Sequence, residues 1–455
     1  MRVKELKSIM LIAAIYLVFL LFSVFIFANI IYIDNVNGTG SVGLLFLVLS
    51  IILSFFIILT HPECIKINFI KKSFIILLCY FCYFIFRIIF DIYDFQKLKA
   101  YTIATTGGII LFYGLGVLMG LLMFLVYNVP LNFKTANKWK NYFFAVYLLC
   151  NIYLLTRAFL TMSSRIRTDI FSIVGGVSYQ RPGNFLIINS MILFLLYINN
   201  YIYSLRLNSS FKSVFLLLCF CVFVFYILAV MLFAQLLGSN NAFICCLGIL
   251  FLTVAFHVFL FIFRKTKSLN TQKISFKRIF TGKFGKRVML SIFISLFFFL
   301  LLGGMFLFKS NVDLSELRIF NYGEGGKLGH LDTRLALLKN FYTHFSISPF
   351  FGNMQADALT TGEGSYAHSF FLSMLTHTGI LGTLIFIIFI ISAIKEYFHV
   401  NRVNVYDNGI AAYKVLLFLG ILMVAVVGVF ITWIPIWFLI GFLFKPVKII
   451  KGSND

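Results

Sequence analysis

Long apolar segments dominate this chain and restrict what it can fold into. A helix that crosses a bilayer needs about 20 apolar residues, and the sequence contains about twelve such segments. It is 61% hydrophobic, with 59 Phe. In hydrocarbon every backbone N–H and C=O must be bonded within the segment or by a closed barrel, and segments this long meet that rule as helices. The sequence therefore predicts an all-α polytopic membrane protein with about twelve transmembrane helices in a single membrane domain. The segments are 8–33, 42–60, 73–92, 104–127, 141–160, 184–205, 213–237, 242–263, 288–308, 368–394, 411–430 and 432–447 of residues 1–455.

The distribution of basic residues predicts the orientation of these spans. When they alternate from a cytoplasmic Met1, about two thirds of the 38 Lys and Arg residues fall on one side, which is the positive-inside pattern. We expect both termini and the basic loop 264–287 in the cytoplasm, and loops 161–183 and 309–367 on the external, periplasmic side. The net charge of +23 is then a topology signal with membrane lipids, not nucleic acid, as its partner. The last two segments form either two spans or one re-entrant hairpin.

Neither disulfides nor cofactors are indicated. The 8 Cys residues lie in or beside spans or on the cytoplasmic side, so none belongs to an external disulfide framework. No group of His, Cys or Asp has metal-ligand spacing, and no Gly-rich loop follows a strand to hold a nucleotide. We expect a protein without a metal or other cofactor.

The loop 161–183 and the end of the span before it carry an excess of arginine. Short external loops normally avoid basic residues because these oppose the orientation signal, so an anionic ligand is the simple explanation. Guanidinium groups suit bidentate recognition of phosphate, and contact with lipid phosphates is the alternative. The residues are Arg157, Arg165, Arg167 and Arg181.

The loop 309–367 contains a predicted amphipathic helix. Leu331, Leu335 and Leu338 recur at spacings of three or four, as on one face of a helix. Asp332 or Thr333 can cap its start. Ser348-Pro349 ends it, because proline cannot continue a helix. This interfacial helix would hold Arg334 above the mouth of a cavity.

His368 stands where this loop returns to the membrane. Ionisable groups at such a boundary tend to face protein or water, and a neutral imidazole can accept a proton from a sugar hydroxyl. Glu363 and Asp357 are candidate neighbours that would hold its tautomer. An interfacial anchor without a chemical role is the alternative for His368.

The same residues carry a resemblance to a known family. The pattern is similar to the signature of bacterial O-antigen polymerases and ligases, in which an Arg opens an external helix, a Pro-x-x-Gly turn follows, and a His begins the next span. The topology of about twelve spans with large periplasmic loops also resembles that family. The residues are Arg334-Leu-Ala-Leu-Leu-Lys, Ser348-Pro349-Phe-Phe-Gly352, Tyr366-Ala-His368-Ser-Phe-Phe-Leu and Thr378-Gly379-Ile-Leu-Gly382.

Two features refine this resemblance. Many members carry Gly-Ser-Arg at the start of the eighth span, where this chain has Gly238-Ser239-Asn240, so the role of that arginine falls to Arg157 or Arg181. Polymerases of the family carry an Arg and a Gly eleven positions apart in each of two periplasmic loops. Here Arg165 precedes Gly176 and Arg318 precedes Gly329 at that spacing. This favours a polymerase over a ligase.

The resemblance implies a mechanism and a location. The donor is a glycan on undecaprenyl pyrophosphate in the bacterial inner membrane, and the active site is periplasmic. Arginine side chains bind the pyrophosphate as charge develops on it. His368 deprotonates the acceptor hydroxyl of the second lipid-linked unit, with Arg334 as the other catalytic residue. A chain-length regulator and a flippase are the implied partners. The pyrophosphate-binding residues are Arg157, Arg165, Arg181 and Arg318.

Other functions stay open from the sequence. A ligase or an oligosaccharyltransferase would use the same donor, and the acceptor surface is not readable. A flippase or other transporter of lipid-linked oligosaccharides also has about twelve spans, but it predicts charged or broken helices at mid-membrane. The nearly charge-free spans favour the enzyme.

Overall fold

The described part of the chain is almost entirely helical. The computed structural model describes residues 3–31, 39–62, 71–91, 106–126, 133–163, 180–205, 210–237, 239–268, 329–361, 369–400 and 434–444. Within these ranges there is no strand, and 7 helices are long and apolar enough to cross a membrane. The prediction of an all-α polytopic membrane protein is confirmed at this level. The count of about twelve spans stays a prediction.

The helices belong to two compact units, each discontinuous in sequence. One unit comprises Met1–Phe46 and Lys134–Tyr322, and the other comprises Leu47–Phe133 and Gly323–Asp455. In chain order the helices are α1 (Val3–Ile31), α2 (Thr39–Thr60), α3 (Lys72–Phe90), α4 (Thr106–Val126), α5 (Phe133–Ser163), α6 (Gln180–Leu205), α7 (Ser210–Leu236), α8 (Asn240–Ser268), α9 (Gly329–Ile347), α10 (Ala356–Thr360), α11 (Phe370–Val400) and α12 (Ile434–Leu443).

A chain of neutral polar side chains links four helices of the first unit. The Ser23 hydroxyl on α1 donates to Asn189 Oδ1 on α6 over 2.8 Å, and it lies 2.8 Å from the Tyr147 hydroxyl on α5. The Asn189 amide donates to Asn151 Oδ1 and to the Tyr226 hydroxyl on α7, each over 2.8 Å. Water cannot satisfy such groups in hydrocarbon, so these bonds hold the helices together.

Replacing Asn189 with leucine should therefore weaken the first unit. Asn189 makes three hydrogen bonds to other helices, and such bonds contribute about 0.6 kcal/mol each in membranes, so the free energy of unfolding should fall by about 2 kcal/mol. Equilibrium unfolding in mixed micelles measures it. Thr156→Val is the control, because the exposed Thr156 hydroxyl bonds only to a carbonyl of its own helix. Equal stability of Asn189→Leu and wild type would contradict the structural role.

The described part of helix α12 is short. It has 10 residues, which extend about 15 Å, half the thickness of the hydrocarbon core. All its residues from Pro435 to Leu443 are buried, and it packs on α4, where a Cβ on Gly120 would lie 2.8 Å from the Trp437 carbonyl oxygen. The choice between two spans and one re-entrant hairpin stays a prediction. The rest of the proposed hairpin, 411–433, lies outside the described residues.

Helix α11 is broken at Gly379, which has the non-helical angles φ 65° and ψ −172°. The rings of Phe370 and Phe386 are 5.7 Å apart, whereas a straight helix would separate residues sixteen apart by about 24 Å. The segment Phe370–Thr378 therefore folds back on the helix that continues from Ile380. The expected continuous span 368–394 is thus two helical segments joined at a sharp turn.

Candidate functional site

The segment Ser348–Asn353 packs against the break in α11 and forms hydrogen bonds with the backbone there. It follows α9, which ends at Ile347 as the Ser348-Pro349 pair predicts, although α9 begins at Gly329, before the expected caps. The Ile380 amide donates to the Pro349 carbonyl over 2.9 Å. Non-helical backbone at membrane depth is tolerated only where protein satisfies its polar groups. This segment supplies that satisfaction.

Gly352 and Gly379 are in contact where the Ser348–Asn353 segment packs against the break in α11. We call this contact the junction. Gly352 has φ 75° and Gly379 has φ 65°, a region that residues with a Cβ rarely adopt. A Cβ on Gly379 would overlap the Phe350 carbonyl oxygen and lie 2.5 Å from the Gly352 amide nitrogen, and one on Gly352 would overlap the His377 carbonyl. The close approach of the two backbones therefore requires glycine at both positions.

Helix α3 forms hydrogen bonds with both backbones of the junction. The Tyr83 hydroxyl lies 2.8 Å from the Thr378 carbonyl oxygen and 3.0 Å from that of Phe351. The Asn353 amide donates to the Thr376 carbonyl over 2.9 Å. Two carbonyls at the end of the first α11 segment, those of Thr376 and Thr378, thereby gain the partners that a helix end lacks.

A buried ion pair ends α3. The Arg87 guanidinium donates to Asp91 Oδ1 one turn later, and Asp91 Oδ2 accepts the Met354 amide over 2.8 Å. Arg87 and Asp91 are 7% and 5% exposed. The Nε–H of Arg87 is buried with no partner among the described residues. The pair holds the segment that follows Gly352 against α3.

Asp357 lies buried among two histidines. His344 on α9 and His377 on α11 are also buried, and the Asp357 carboxylate and His377 both act electrostatically on His344. The His377 Nδ1 is 2.6 Å from the Ser373 carbonyl, which can only accept, so Nδ1 carries the proton. These residues bring carboxylate and imidazole groups together beside the junction.

His344 connects this cluster with the surface. Its Nε2 lies 2.6 Å from the hydroxyl of the exposed Thr361, and its Nδ1 is buried with no partner among the described residues. Burial lowers the pKa of His344 below the ordinary value of 6.5, Asp357 raises that pKa, and His377 lowers it further. The imidazole is therefore neutral at neutral pH and can accept a proton.

The lowered pKa of His344 makes stability pH-dependent. Below about pH 6.5, His344 binds a proton in the unfolded chain, whereas folded His344, with its lowered pKa, stays neutral. The stability that neutral His344 contributes to the free energy of unfolding is therefore present above that pH and is lost as the pH falls toward the pKa of folded His344. Thermal unfolding in detergent at about pH 7.5 and about pH 5.5 measures the loss. We expect a smaller loss in His344→Gln than in wild type. An identical loss in both proteins would show that His344 does not contribute.

The predicted site residues divide by location. Asp357 belongs to the buried cluster, and its described histidine neighbours are His344 and His377. Arg334 lies on α9 and Arg181 in the first turn of α6. Arg157 is exposed on α5. The remaining predicted residues lie outside the described ranges and are His368, Glu363, Arg165 and Arg318.

Sequence reasoning missed most of the cluster. His344 and His377 are absent from the predicted site residues. The usable signal was Arg87, a cation inside an apolar span with Asp91 one turn later, because charged residues within spans are rare and usually functional. Within the described ranges no group of three or more His, Cys, Asp or Glu could hold a metal ion.

No protein-family model matches this chain, and no curated protein matches it. The class defined by the fold is a polytopic helical membrane protein, and the case for its activity rests on its own residues.

Proposed function

We propose that this protein is a surface-polysaccharide polymerase, a glycosyltransferase that joins undecaprenyl-pyrophosphate-linked repeat units at the periplasmic face of the bacterial inner membrane. One observation carries the proposal. The Ser348–Gly352 turn and the Thr378-Gly379 step, which are separate parts of the family-like pattern, pack against each other through Gly352 and Gly379. Parts of a signature that meet in space support a shared site.

The proposed reaction needs only groups that this chain can supply. The acceptor hydroxyl loses its proton to His368, and its oxygen forms a bond to the anomeric carbon of the donor. The bond from that carbon to the pyrophosphate breaks, and the pyrophosphate leaves with the electron pair. Arg334, with Arg157, Arg165, Arg181 and Arg318, stabilises the charge on the leaving group. Two lipid-linked substrates held side by side supply the proximity.

The composition of the cluster supports this chemistry. With the Arg87–Asp91 pair included, these side chains carry two carboxylates, one guanidinium and two imidazoles, so they offer no excess of positive charge to a phosphate group. Asp357 and the histidines therefore suit the hydroxyl side of the reaction. The pyrophosphate would be bound by Arg334, Arg157, Arg165, Arg181 and Arg318.

The decisive experiment is a gene deletion followed by gel analysis of the surface polysaccharide. We expect a single capped repeat in the deletion strain, and a full ladder when wild type is restored. His368→Ala and Arg334→Ala should restore no ladder although both accumulate in the membrane, because general-base and electrostatic effects each contribute about 10²-fold or more. Full polymer length from Arg334→Ala would refute its role. Loss of all attached glycan in the deletion strain would indicate a ligase.

A transporter of lipid-linked oligosaccharides is the second candidate. The broken α11 and the buried Arg87–Asp91 pair favour it, because discontinuous helices and intramembrane charges are typical of transport sites. Loss of such a transporter would leave lipid-linked repeats on the cytoplasmic side. Loss of the polymerase would instead leave single repeats at the surface, so the same gel separates the two.

A further inference from the structure

The Ser348–Gly352 turn meets helix α3 well inside that helix, not at its end. The Phe351 carbonyl oxygen lies 3.0 Å from the Tyr83 hydroxyl. Tyr83 precedes Asp91, the C-cap residue of α3, by eight positions, which is about 12 Å along the helix axis. Helix α3 has 19 residues and is about 28 Å long, close to the thickness of the hydrocarbon core. The turn therefore lies at the depth of the membrane-spanning part of α3.

The two flanks of the turn lie together, so the chain enters and leaves this depth on the same side. Three positions after Phe351, the Met354 amide donates to Asp91 Oδ2 over 2.8 Å, which places Met354 at the end of α3. His344, one helical turn before the segment, contacts Thr361 just after α10, with 2.6 Å between its Nε2 and the hydroxyl. This course is that of a re-entrant segment, and both of its flanks belong to the described residues.

The side chains of the turn are apolar and exposed. Phe350 and Phe351 are 68% and 53% exposed, and none of residues 348–354 carries an ionisable side chain. On α3, Phe86 lies three positions after Tyr83 and is 50% exposed. Because α3 is long and apolar enough to cross a membrane, its exposed apolar face contacts lipid. The two phenylalanines of the turn continue that lipid-facing surface.

The carbonyl groups of the turn need no water. In an exposed aqueous turn, solvent supplies the donors that such carbonyls lack, whereas hydrocarbon supplies none. Here each of the four carbonyls from Ser348 to Phe351 lies within hydrogen-bond distance of a donor of the protein, although the phenylalanine side chains are exposed. This arrangement suits a turn in contact with hydrocarbon. In chain order of the carbonyls, the donors are the Gly352 amide, the Ile380 amide, the Leu381 amide and the Tyr83 hydroxyl.

We infer that the Ser348–Gly352 turn is a re-entrant membrane segment whose Phe350 and Phe351 side chains contact the acyl chains of the bilayer. The loop 309–367, predicted as external from the positive-inside pattern, thus enters the membrane at this turn. The turn also supports the break of α11 at Gly379 within the bilayer, because its carbonyls accept the amides freed there. This placement holds for a polymerase and for a transporter alike, since it depends on neither activity.

Tryptophan fluorescence measures whether lipid covers the turn. Phe350→Trp and Phe351→Trp are purified as full chains and reconstituted at low protein density into phosphatidylcholine vesicles. The lipid is either plain or brominated on its acyl chains, and bromine quenches tryptophan on contact. The signal of wild type, which has 3 Trp, is subtracted. Phe56→Trp is the matched control, because Phe56 is 60% exposed within the candidate membrane span Val42–Thr60.

We expect brominated lipid to remove the same fraction of the added fluorescence from both turn variants as from Phe56→Trp, and aqueous iodide to remove none of it. Quenching by iodide but not by brominated lipid would place the turn in water and overturn the re-entrant segment. Resistance to both quenchers would show that protein, such as a second copy of this chain, covers the two side chains, and would also overturn it. Because the two positions are substituted separately and thermal unfolding verifies each fold, one misfolded variant leaves the other informative.

Discussion

Replacing Gly379 with alanine should unfold the second unit under conditions in which wild type is stable. The left-handed backbone at φ 65° disfavours a residue with a Cβ by about 1–2 kcal/mol. The added Cβ would also overlap the Phe350 carbonyl oxygen, which accepts the Leu381 amide over 3.1 Å. Displacing that carbonyl adds a similar cost, so we expect the free energy of unfolding to fall by about 3 kcal/mol. Unfolding in detergent micelles measures the change.

A matched alanine substitution separates the effect of the close contact at Gly379 from the effect of replacing any glycine with alanine. Gly248 lies in helix α8, and a Cβ built there meets nothing within 4 Å. Gly248→Ala should leave stability unchanged or raise it slightly, since alanine favours a helix by up to about 1 kcal/mol over glycine. If Gly379→Ala unfolded at the same temperature as Gly248→Ala, the close contact with Gly352 would not hold the junction together.

Removal of the Asp91 carboxylate is expected to destabilise the same unit by about 3–5 kcal/mol, because Asp91→Ala leaves Arg87 buried without its counter-ion. It also deprives the Met354 amide of its acceptor. Equilibrium unfolding of the purified protein measures the loss. A shift below about 1 kcal/mol would show that the pair is accessible to water.

A double variant separates structure from activity at this pair. Arg87→Met with Asp91→Asn removes both charges but keeps a side-chain oxygen that can accept the Met354 amide, so most of the stability should return. If the charges serve only to hold the segment after Gly352, the polysaccharide ladder should return as well. A stable double variant without a ladder would instead assign Arg87 or Asp91 to the reaction.

The candidate site was predictable only in part. The Ser348-Pro349 stop follows from local chemistry, and the structure has α9 ending at Ile347. Asp357 was predicted as a neighbour of His368, which lies outside the described residues, and the structure has Asp357 buried. The proximity of Asp357 to His344 and His377 does not follow, since these residues lie on three different helical segments. Periodicity assigns a residue to a helix face but does not say which other helix packs on that face.

The sequence by itself determined the class of fold. Apolar segments of this length must form helices, because hydrocarbon offers the backbone no other hydrogen-bond partner, and 7 of the described helices are of membrane-spanning length and composition. Only the tertiary structure decided where a helix breaks. The segment 368–394 has the length and overall hydropathy of a single span, and Gly379 leaves the helical conformation because the carbonyls of Pro349 and Phe350 accept the amides freed at the break. That satisfaction comes from residues some thirty positions earlier in the chain, which local sequence cannot show.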